Sequence, residues 1–167
     1  MSTHSTSPEL KDNLSALFEP RTIAVFGSLQ EVWAGGYGVI KNLLHFSFSG
    51  EIYPVNPGYN EVLGLKVYPS IGEIAADIDL AIIVTPPRTV PAIIEQCAEK
   101  GVKAAIVVTE RFAETGEEGA RLQQEIVSIA RRTGLRMLGP PPQECRLPDH
   151  CLVTNPYETG QQSIRSG

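Results

Sequence analysis

The feature that most constrains the fold of this chain is an apolar run over residues 22–26 that ends at Gly27. Such a run predicts a buried parallel strand, and glycine lets the chain leave the strand sharply because it carries no Cβ. The cluster Gly35-Gly36-Tyr37-Gly38 then opens a helix-like segment, whose first amides have no partner inside the helix. Those amides and the helix dipole favour an anion such as a phosphate. The first turn therefore predicts a site for a nucleotide-like ligand.

Strand-like and helix-like segments alternate along the chain, joined by short connections. We expect strands at 22–26, 51–55, 80–84, 104–108 and 135–138, and helices at 10–18, 37–46, 90–100 and 117–132. A short extended segment is expected over 65–68, and one or two helical turns over 70–76. This alternation predicts a doubly wound, Rossmann-like parallel sheet with three α/β/α layers and about five main strands. We expect a flexible N-terminus at 1–9, one binding domain at 10–140, and a Pro-rich connector with a tail at 141–167.

Composition excludes several classes of function. The formal net charge of −5 and the pI near 5.2 argue against nucleic acid as a partner. No apolar run reaches the roughly 18 residues that a membrane span needs. Three cysteines suit a reducing compartment better than a disulfide framework. We therefore expect a cytoplasmic domain that binds neither nucleic acid nor membrane.

The glycine pattern also restricts the kind of nucleotide. After Gly27 no glycine follows until Gly35, so the G-x-G-x-x-G turn of a dinucleotide site is absent from the sequence. The second expected strand ends in Val55-Asn56-Pro57, where an NAD site would place an acidic residue for the ribose. The sequence has no G-x-x-x-x-G-K-[ST] element either. NAD-dependent enzymes and P-loop NTPases are thus disfavoured.

Eight segments of the chain, spread over residues 10–140, resemble the CoA-binding domain of NDP-forming acyl-CoA synthetases. The alpha subunit of succinyl-CoA synthetase is a more distant relative in this resemblance. The segments begin with Leu17-Phe18-Glu19-Pro20-Arg21 and continue to Gly27, and the others lie at 36–43, 52–57, 63–70, 79–84, 101–105, 112–119 and 137–140. The resemblance implies CoA or acyl-CoA as the ligand.

The resemblance also implies which residues form the site. The loop after the first strand would wrap the CoA phosphates, using Gly27, Ser28, Gln30, Gly36 and Tyr37. The turn Val55-Asn56-Pro57 would border the adenosine end, and the pantetheine arm would pass Val84, Thr85, Pro86, Thr109 and Glu110. We expect Gly36→Val to block binding by filling the phosphate approach.

The chain departs from the family pattern at three positions. Ala34 and Gly58 stand where basic residues are frequent in the family, and Pro141 stands where it places an asparagine. Arg88 and Arg111 are the basic residues left near the expected mouth of the site. These departures leave two alternatives open: a binding module for another adenine nucleotide, and a scaffold protein without a ligand.

Other chemistry-bearing residues have ordinary explanations. Glu110 at a strand end is more often a capping or solvated residue than an active acid. Cys97 lies among apolar helix positions and is expected in the core. Cys145, His150 and Cys151 fit no standard zinc spacing, so we expect no metal site. No arrangement of nucleophile and base is indicated, and we expect no catalytic residues.

In the family that the chain resembles, synthesis of an acyl-CoA needs a further domain with a phosphorylated histidine and a nucleotide-grasping partner. We therefore expect a stand-alone CoA-binding domain that is not a complete enzyme. It would act as a ligand sensor or as one subunit of a split ADP-forming acyl-CoA ligase. The amphipathic helix at 117–132 could face such a partner subunit, and a homo-oligomer is also possible.

Overall fold

The computed structural model describes residues 15–31, 35–109 and 116–139. Its centre is a sheet of five parallel strands, which confirms the predicted fold class. The strands are β1 (Thr22–Gly27), β2 (Glu51–Val55), β5 (Leu80–Val84), β6 (Ala104–Val107) and β7 (Arg136–Leu138). Their order across the sheet is β2-β1-β5-β6-β7. Observed and predicted strands differ by one residue at most at either end.

Three helices cover the two faces of this sheet. They are α1 (Gly35–His45), α2 (Val90–Lys100) and α3 (Glu117–Thr133), and residues 15–18 are helical as well. One apolar core packs α1 and Ala16 against alternate strand residues such as Ile23 and Ile82. The other core packs α2 and α3 against the opposite face, with Phe26 and Ile83 among its members. Because strand side chains alternate between faces, each buried strand supplies both cores.

Cys97 of α2 belongs to the second core, as the sequence predicted. Burial raises the pKa of its thiol to about 12. The thiolate is the reactive form of cysteine, so this side chain acts as a small apolar core residue.

A small hairpin that the sequence did not predict follows β2. It consists of β3 (Glu61–Val62) and β4 (Leu65–Lys66), joined by Leu63 and Gly64. Both turn residues have positive φ, 49° and 78°, which is the geometry of a two-residue hairpin turn that matches the strand twist. Leucine rarely adopts this conformation, and for that reason residue patterns give little sign of the turn.

After the hairpin, the chain returns along the outer edge of β2. Tyr68 N–H donates to the carbonyl of Pro54, and Asn56 N–H donates to the carbonyl of Tyr68, each at 2.9 Å. These bonds cover the carboxyl end of an edge strand and fix the backbone of Asn56. The segment 70–76, expected to hold one or two helical turns, contains a single 3₁₀ turn at Ile71–Glu73.

None of the helices in the described ranges combines the length and apolar character needed to cross a membrane.

Candidate functional site

The strand order places a crevice at the carboxyl ends of β1 and β5. The chain leaves β1 through α1 and returns to β2 on one side, whereas β5 lies on the other side of β1 and continues through α2 on the opposite face. In open parallel sheets, ligands bind where successive connections diverge in this way. At this point Gly27 of β1 is in register with Val84 of β5. The sequence-predicted residues can be located relative to this pair.

Gly27 and Gly36 let the start of α1 pack directly on the end of β1. A Cβ at Gly27 would lie 2.6 Å from the amide nitrogen of Gly36 and 2.8 Å from the carbonyl oxygen of Val84. A Cβ at Gly36 would lie 3.2 Å from Cα of Gly27 and 3.3 Å from the carbonyl oxygen of Ser28. Both glycines therefore serve close helix–strand packing. A valine side chain at Gly36 would meet the backbone of this junction, so Gly36→Val would disturb the packing as well as any phosphate approach, and the predicted block of binding stays a prediction.

The loop after β1 is closed at its base by a backbone hydrogen bond. The Tyr37 N–H donates to the carbonyl oxygen of Ser28 at 3.0 Å, so this first-turn amide of α1 is already occupied. Burial, followed by the charge of Glu31 and a hydrogen bond to it, raises the pKa of Tyr37 above its ordinary value. Ser28 and Gln30 are exposed, and the Gln30 N–H reaches Ser28 Oγ at 3.5 Å. Together with the exposed Glu31, these two side chains are the accessible part of the described loop.

Asn56 ties the end of β2 to the end of β1. Its side-chain nitrogen Nδ2 donates to the carbonyl oxygen of Gly27 at 2.9 Å, and its oxygen Oδ1 accepts from the Gly58 N–H at 2.8 Å. Val55 is buried and Pro57 is exposed. Both polar ends of the Asn56 amide are thus engaged in holding the turn, while Pro57 presents the surface that a ligand could touch.

Thr85 and Thr109 face each other across the carboxyl ends of β5 and β6. Thr109 Oγ1 donates to the carbonyl oxygen of Thr85 at 2.8 Å, and Thr109 is buried. Oγ1 of Thr85 is also buried, yet no hydrogen-bond partner reaches it from the described residues. Val84 and Thr85 are half-buried and Pro86 is exposed. Glu110, the remaining residue of this predicted group, lies outside the described residues.

An exposed ion pair joins the connection after β5 to the first turn of α3. Arg88 Nε lies 3.0 Å from Oε1 of Glu118, and Arg88 Nη2 lies 3.1 Å from Oε2 of the same carboxylate. This two-point contact engages the guanidinium of Arg88, one of the two basic residues expected near the mouth of the site. Arg111, the other basic residue considered there, and Ala34 lie outside the described residues.

The described residues provide neutral hydrogen-bonding groups and close backbone packing at this edge, with little acid–base chemistry. His45 is the single histidine within the described ranges, and it lies at the far end of α1, edge-on to Phe46. In that same part of the chain, no group of three His, Cys, Asp or Glu residues could hold a metal ion. The arrangement suits the binding of a ligand.

A family model described as a CoA binding domain matches residues 21–144. The chain belongs to this CoA-binding domain family. The resemblance drawn from the sequence is therefore confirmed, and CoA or acyl-CoA is the class of ligand that the family supports.

Curated relatives of this CoA-binding domain include ADP-forming acetate–CoA ligases. The chain is 42% identical over 135 residues to acetate–CoA ligase (ADP-forming) II of Archaeoglobus fulgidus, in a match that covers 81% of this chain and 20% of the ligase. It is 46% identical over 127 residues to the alpha subunit of acetate–CoA ligase (ADP-forming) II of Pyrococcus furiosus, covering 76% of this chain and 28% of that subunit. The chain thus spans less than a third of these relatives' own lengths.

Solved structures give the same family. A dinucleotide-forming acetyl-coenzyme A synthetase 1 from Ca. Korarchaeum cryptofilum, in complex with phosphate and ADP, is 39% identical with a TM-score of 0.71. That match covers 77% of this chain and 27% of the synthetase. A conserved hypothetical protein of Pyrococcus furiosus is 29% identical with a TM-score of 0.56, over 70% of this chain and 90% of that protein. The fold thus occurs both inside long enzymes and in a much shorter chain.

Several features of this CoA-binding domain were missed by the sequence reasoning. They are the Asn56 bridge to β1, the Arg88–Glu118 pair and the contact between Thr109 and Thr85. The Asn-Pro turn was a signal for the first of these, but its partner on β1 depends on strand order. The other two join residues that are far apart in the chain, and residue patterns carry no comparable signal for them.

Proposed function

We propose that this chain binds CoA or acyl-CoA at the crevice between the carboxyl ends of β1 and β5. The phosphates would lie at the β1 loop and the start of α1, the adenosine end near the Asn56 turn, and the pantetheine arm along the ends of β5 and β6. The residues in contact would be those named from the sequence: Gly27, Ser28, Gln30, Gly36, Tyr37, Val55, Asn56, Pro57, Val84, Thr85, Pro86, Thr109 and Glu110.

The observation that carries this proposal is the glycine junction of β1 and α1. Backbone packing between Gly27 and Gly36 brings the start of a helix to the end of a strand at the point where the connections diverge. The helix dipole favours an anion at that end. Membership of the CoA-binding domain family supports CoA as the source of that anion.

Its role would be that of a ligand sensor or of one subunit in a split ADP-forming acyl-CoA ligase, without catalysis of its own. One observation supports a role as a subunit: relatives include alpha subunits of such ligases. A partner chain would supply the phosphorylated histidine and the nucleotide-grasping part. The exposed face of α3 would be available to it.

Thermal unfolding with CoA, acetyl-CoA, ADP and NAD tests the ligand. A compound that binds only the folded chain raises the free energy of unfolding by mass action, by about 2.7 kcal/mol at a ligand concentration of one hundred times Kd. Tm rises as a consequence. For a domain of this size, that stability corresponds to a rise of roughly 5–10 °C. We expect the rise with CoA and acetyl-CoA only. An equal rise with ADP would favour the general adenine-nucleotide module, and no rise with any of the four would favour the scaffold.

The place of the phosphates is tested by one exposed residue of the β1 loop. Gln30→Glu adds a negative charge there without changing size, and Gln124→Glu makes the same change on the exposed face of α3. A repulsion of about 1 kcal/mol across roughly 4 Å of water weakens CoA binding about fivefold. We expect that loss for Gln30→Glu and an unchanged Kd for Gln124→Glu. Equal CoA affinities of the two variants would show that the phosphates do not lie at this loop.

A further inference from the structure

Among the described residues, the hydroxyl of Thr85 is the buried side-chain polar group that the fold leaves without a hydrogen bond. Its oxygen Oγ1 is buried, and among the described residues nothing is within hydrogen-bonding distance of it. The neighbouring groups are satisfied: the Thr85 carbonyl accepts from Thr109, and the Asn56 amide is engaged at both ends. Buried polar groups in native proteins almost always have partners, so this exception requires a physical reason.

We propose that Thr85 is a specificity residue whose hydroxyl hydrogen-bonds an amide group of the pantetheine arm. This inference rests on the proposed function. The hydroxyl would favour binding of a thiol carrier with a pantetheine arm over binding of a plain adenine nucleotide. Thr85 follows β5 directly, beside the register pair Gly27 and Val84. It therefore lies where an arm leaving the phosphates at β1 would cross the sheet edge.

The chemistry of the two partners is complementary. A threonine hydroxyl can donate one hydrogen bond and accept others, and a secondary amide offers one N–H and one carbonyl. The arm is uncharged, so a neutral hydroxyl suits it better than a charged side chain, which would lose hydration without gaining an ionic partner.

The hydroxyl is covered in this structure, so contact with the arm requires it to turn outward. A rotation of about 120° about the Cα–Cβ bond moves the hydroxyl to another staggered position. Thr85 is half-buried and lies on a connection rather than inside a strand. The hydroxyl then exchanges an unfavourable unpartnered state for a hydrogen bond to the ligand.

Thr85→Val tests the inference, because valine has the same shape and lacks the hydroxyl. Kd is measured by calorimetry for CoA and for 3′-phospho-ADP, the nucleotide part of CoA without its arm. We expect Thr85→Val to bind CoA roughly three- to tenfold more weakly, the worth of one neutral hydrogen bond, and to bind 3′-phospho-ADP unchanged. Thr85→Ser, which keeps the hydroxyl, should retain most of the CoA affinity.

Tm without ligand separates a binding role from a structural one. Thr133→Val is the matched control, since the Thr133 hydroxyl donates to the carbonyl of Ile129 at 2.8 Å. We expect Thr133→Val to lower Tm and Thr85→Val to leave it unchanged or raise it. A Tm loss in Thr85→Val equal to that control, or an equal weakening of both ligands, would make the hydroxyl structural and overturn the inference.

Two further outcomes separate this inference from the proposed function. If the unaltered chain binds CoA and Thr85→Val binds it equally well, the inference alone is wrong. If the unaltered chain binds no CoA, the proposed function is wrong and the inference falls with it.

Discussion

Gly27→Ala adds a single methyl group at the tightest backbone contact of the crevice. The new Cβ would lie 2.6 Å from the amide nitrogen of Gly36 and 2.8 Å from the carbonyl oxygen of Val84. Both atoms belong to the backbone, so neither can avoid the methyl by changing a rotamer. One neighbour is held by α1 and the other by β5, which stand on different sides of Gly27.

The size of the effect follows from these distances. Ordinary contact begins near 3.4 Å, so the start of α1 must retreat by about 0.8 Å, and β5 by somewhat less, before repulsion is relieved. Overpacking of a well-packed interior by extra carbon atoms costs about 1–3 kcal/mol. We expect Gly27→Ala to lower the free energy of unfolding by that amount, because two backbone segments must move together.

Urea unfolding of the unaltered chain and of two variants measures this loss. Gly72→Ala is the matched control, since its Cβ would meet only Ser70 Oγ, at 3.8 Å. A methyl group in open space changes stability by less than about 1 kcal/mol, and in the stabilising direction where the backbone tolerates it. If Gly27→Ala and Gly72→Ala agree within roughly 0.5 kcal/mol, the close junction of β1 and α1 is not required for the fold.

Three further predictions concern single side chains. Asn56→Ala should lower the free energy of unfolding by about 1–2 kcal/mol in urea, because the Gly27 carbonyl loses its donor; an unchanged midpoint would contradict the bridge. Partial burial raises the pKa of Asp79, but hydrogen bonds from Lys103 and from backbone amides outweigh it and hold the pKa below its ordinary value. A carboxyl whose pKa is lowered in the folded state contributes stability at pH values above its unfolded pKa, and this stability is lost as the pH falls through the folded-state pKa. The urea midpoint of the unaltered chain should therefore drop below about pH 4. The drop should be smaller in Asp79→Asn. Cys97, with its thiol pKa near 12, should resist alkylation at pH 8 until urea unfolds the chain; peptide mapping by mass spectrometry that finds Cys97 labelled in the native protein would contradict this.

Much of the fold was predictable because local and tertiary preferences agree. The apolar runs at Thr22–Gly27 and Leu80–Val84 are buried on both faces, and such strands show as continuous hydrophobic segments. Helices α2 and α3 end at Gly101 and Gly134, as predicted, each in a left-handed cap. The hairpin at Leu63 and Gly64 was missed because a leucine at positive φ contradicts its own local preference.

The candidate site was predictable only at the level of strand ends. Carboxyl ends of parallel strands meet at one edge of the sheet, so Gly27, Asn56, Val84 and Thr109 could be grouped in advance. Which atoms are already engaged could not be foreseen. The occupied Tyr37 amide depends on how the loop closes on Ser28, a matter of backbone geometry that residue types do not reveal.

The distribution of charge at the crevice decides how a ligand can be recognised there. Between Gly27 and Gly38 the one charged side chain is that of Glu31, an acid that interacts with Tyr37. Arg88 is engaged with Glu118 and exposed, so its attraction for a phosphate is weakened by its partner and by water. In the proposed complex, the described residues would offer a phosphate at the β1 loop mainly backbone amides and the dipole of α1. Neutral contacts along the uncharged arm would then carry a larger share of the affinity, so the proposed contact of the Thr85 hydroxyl would matter more here than beside a cluster of lysines.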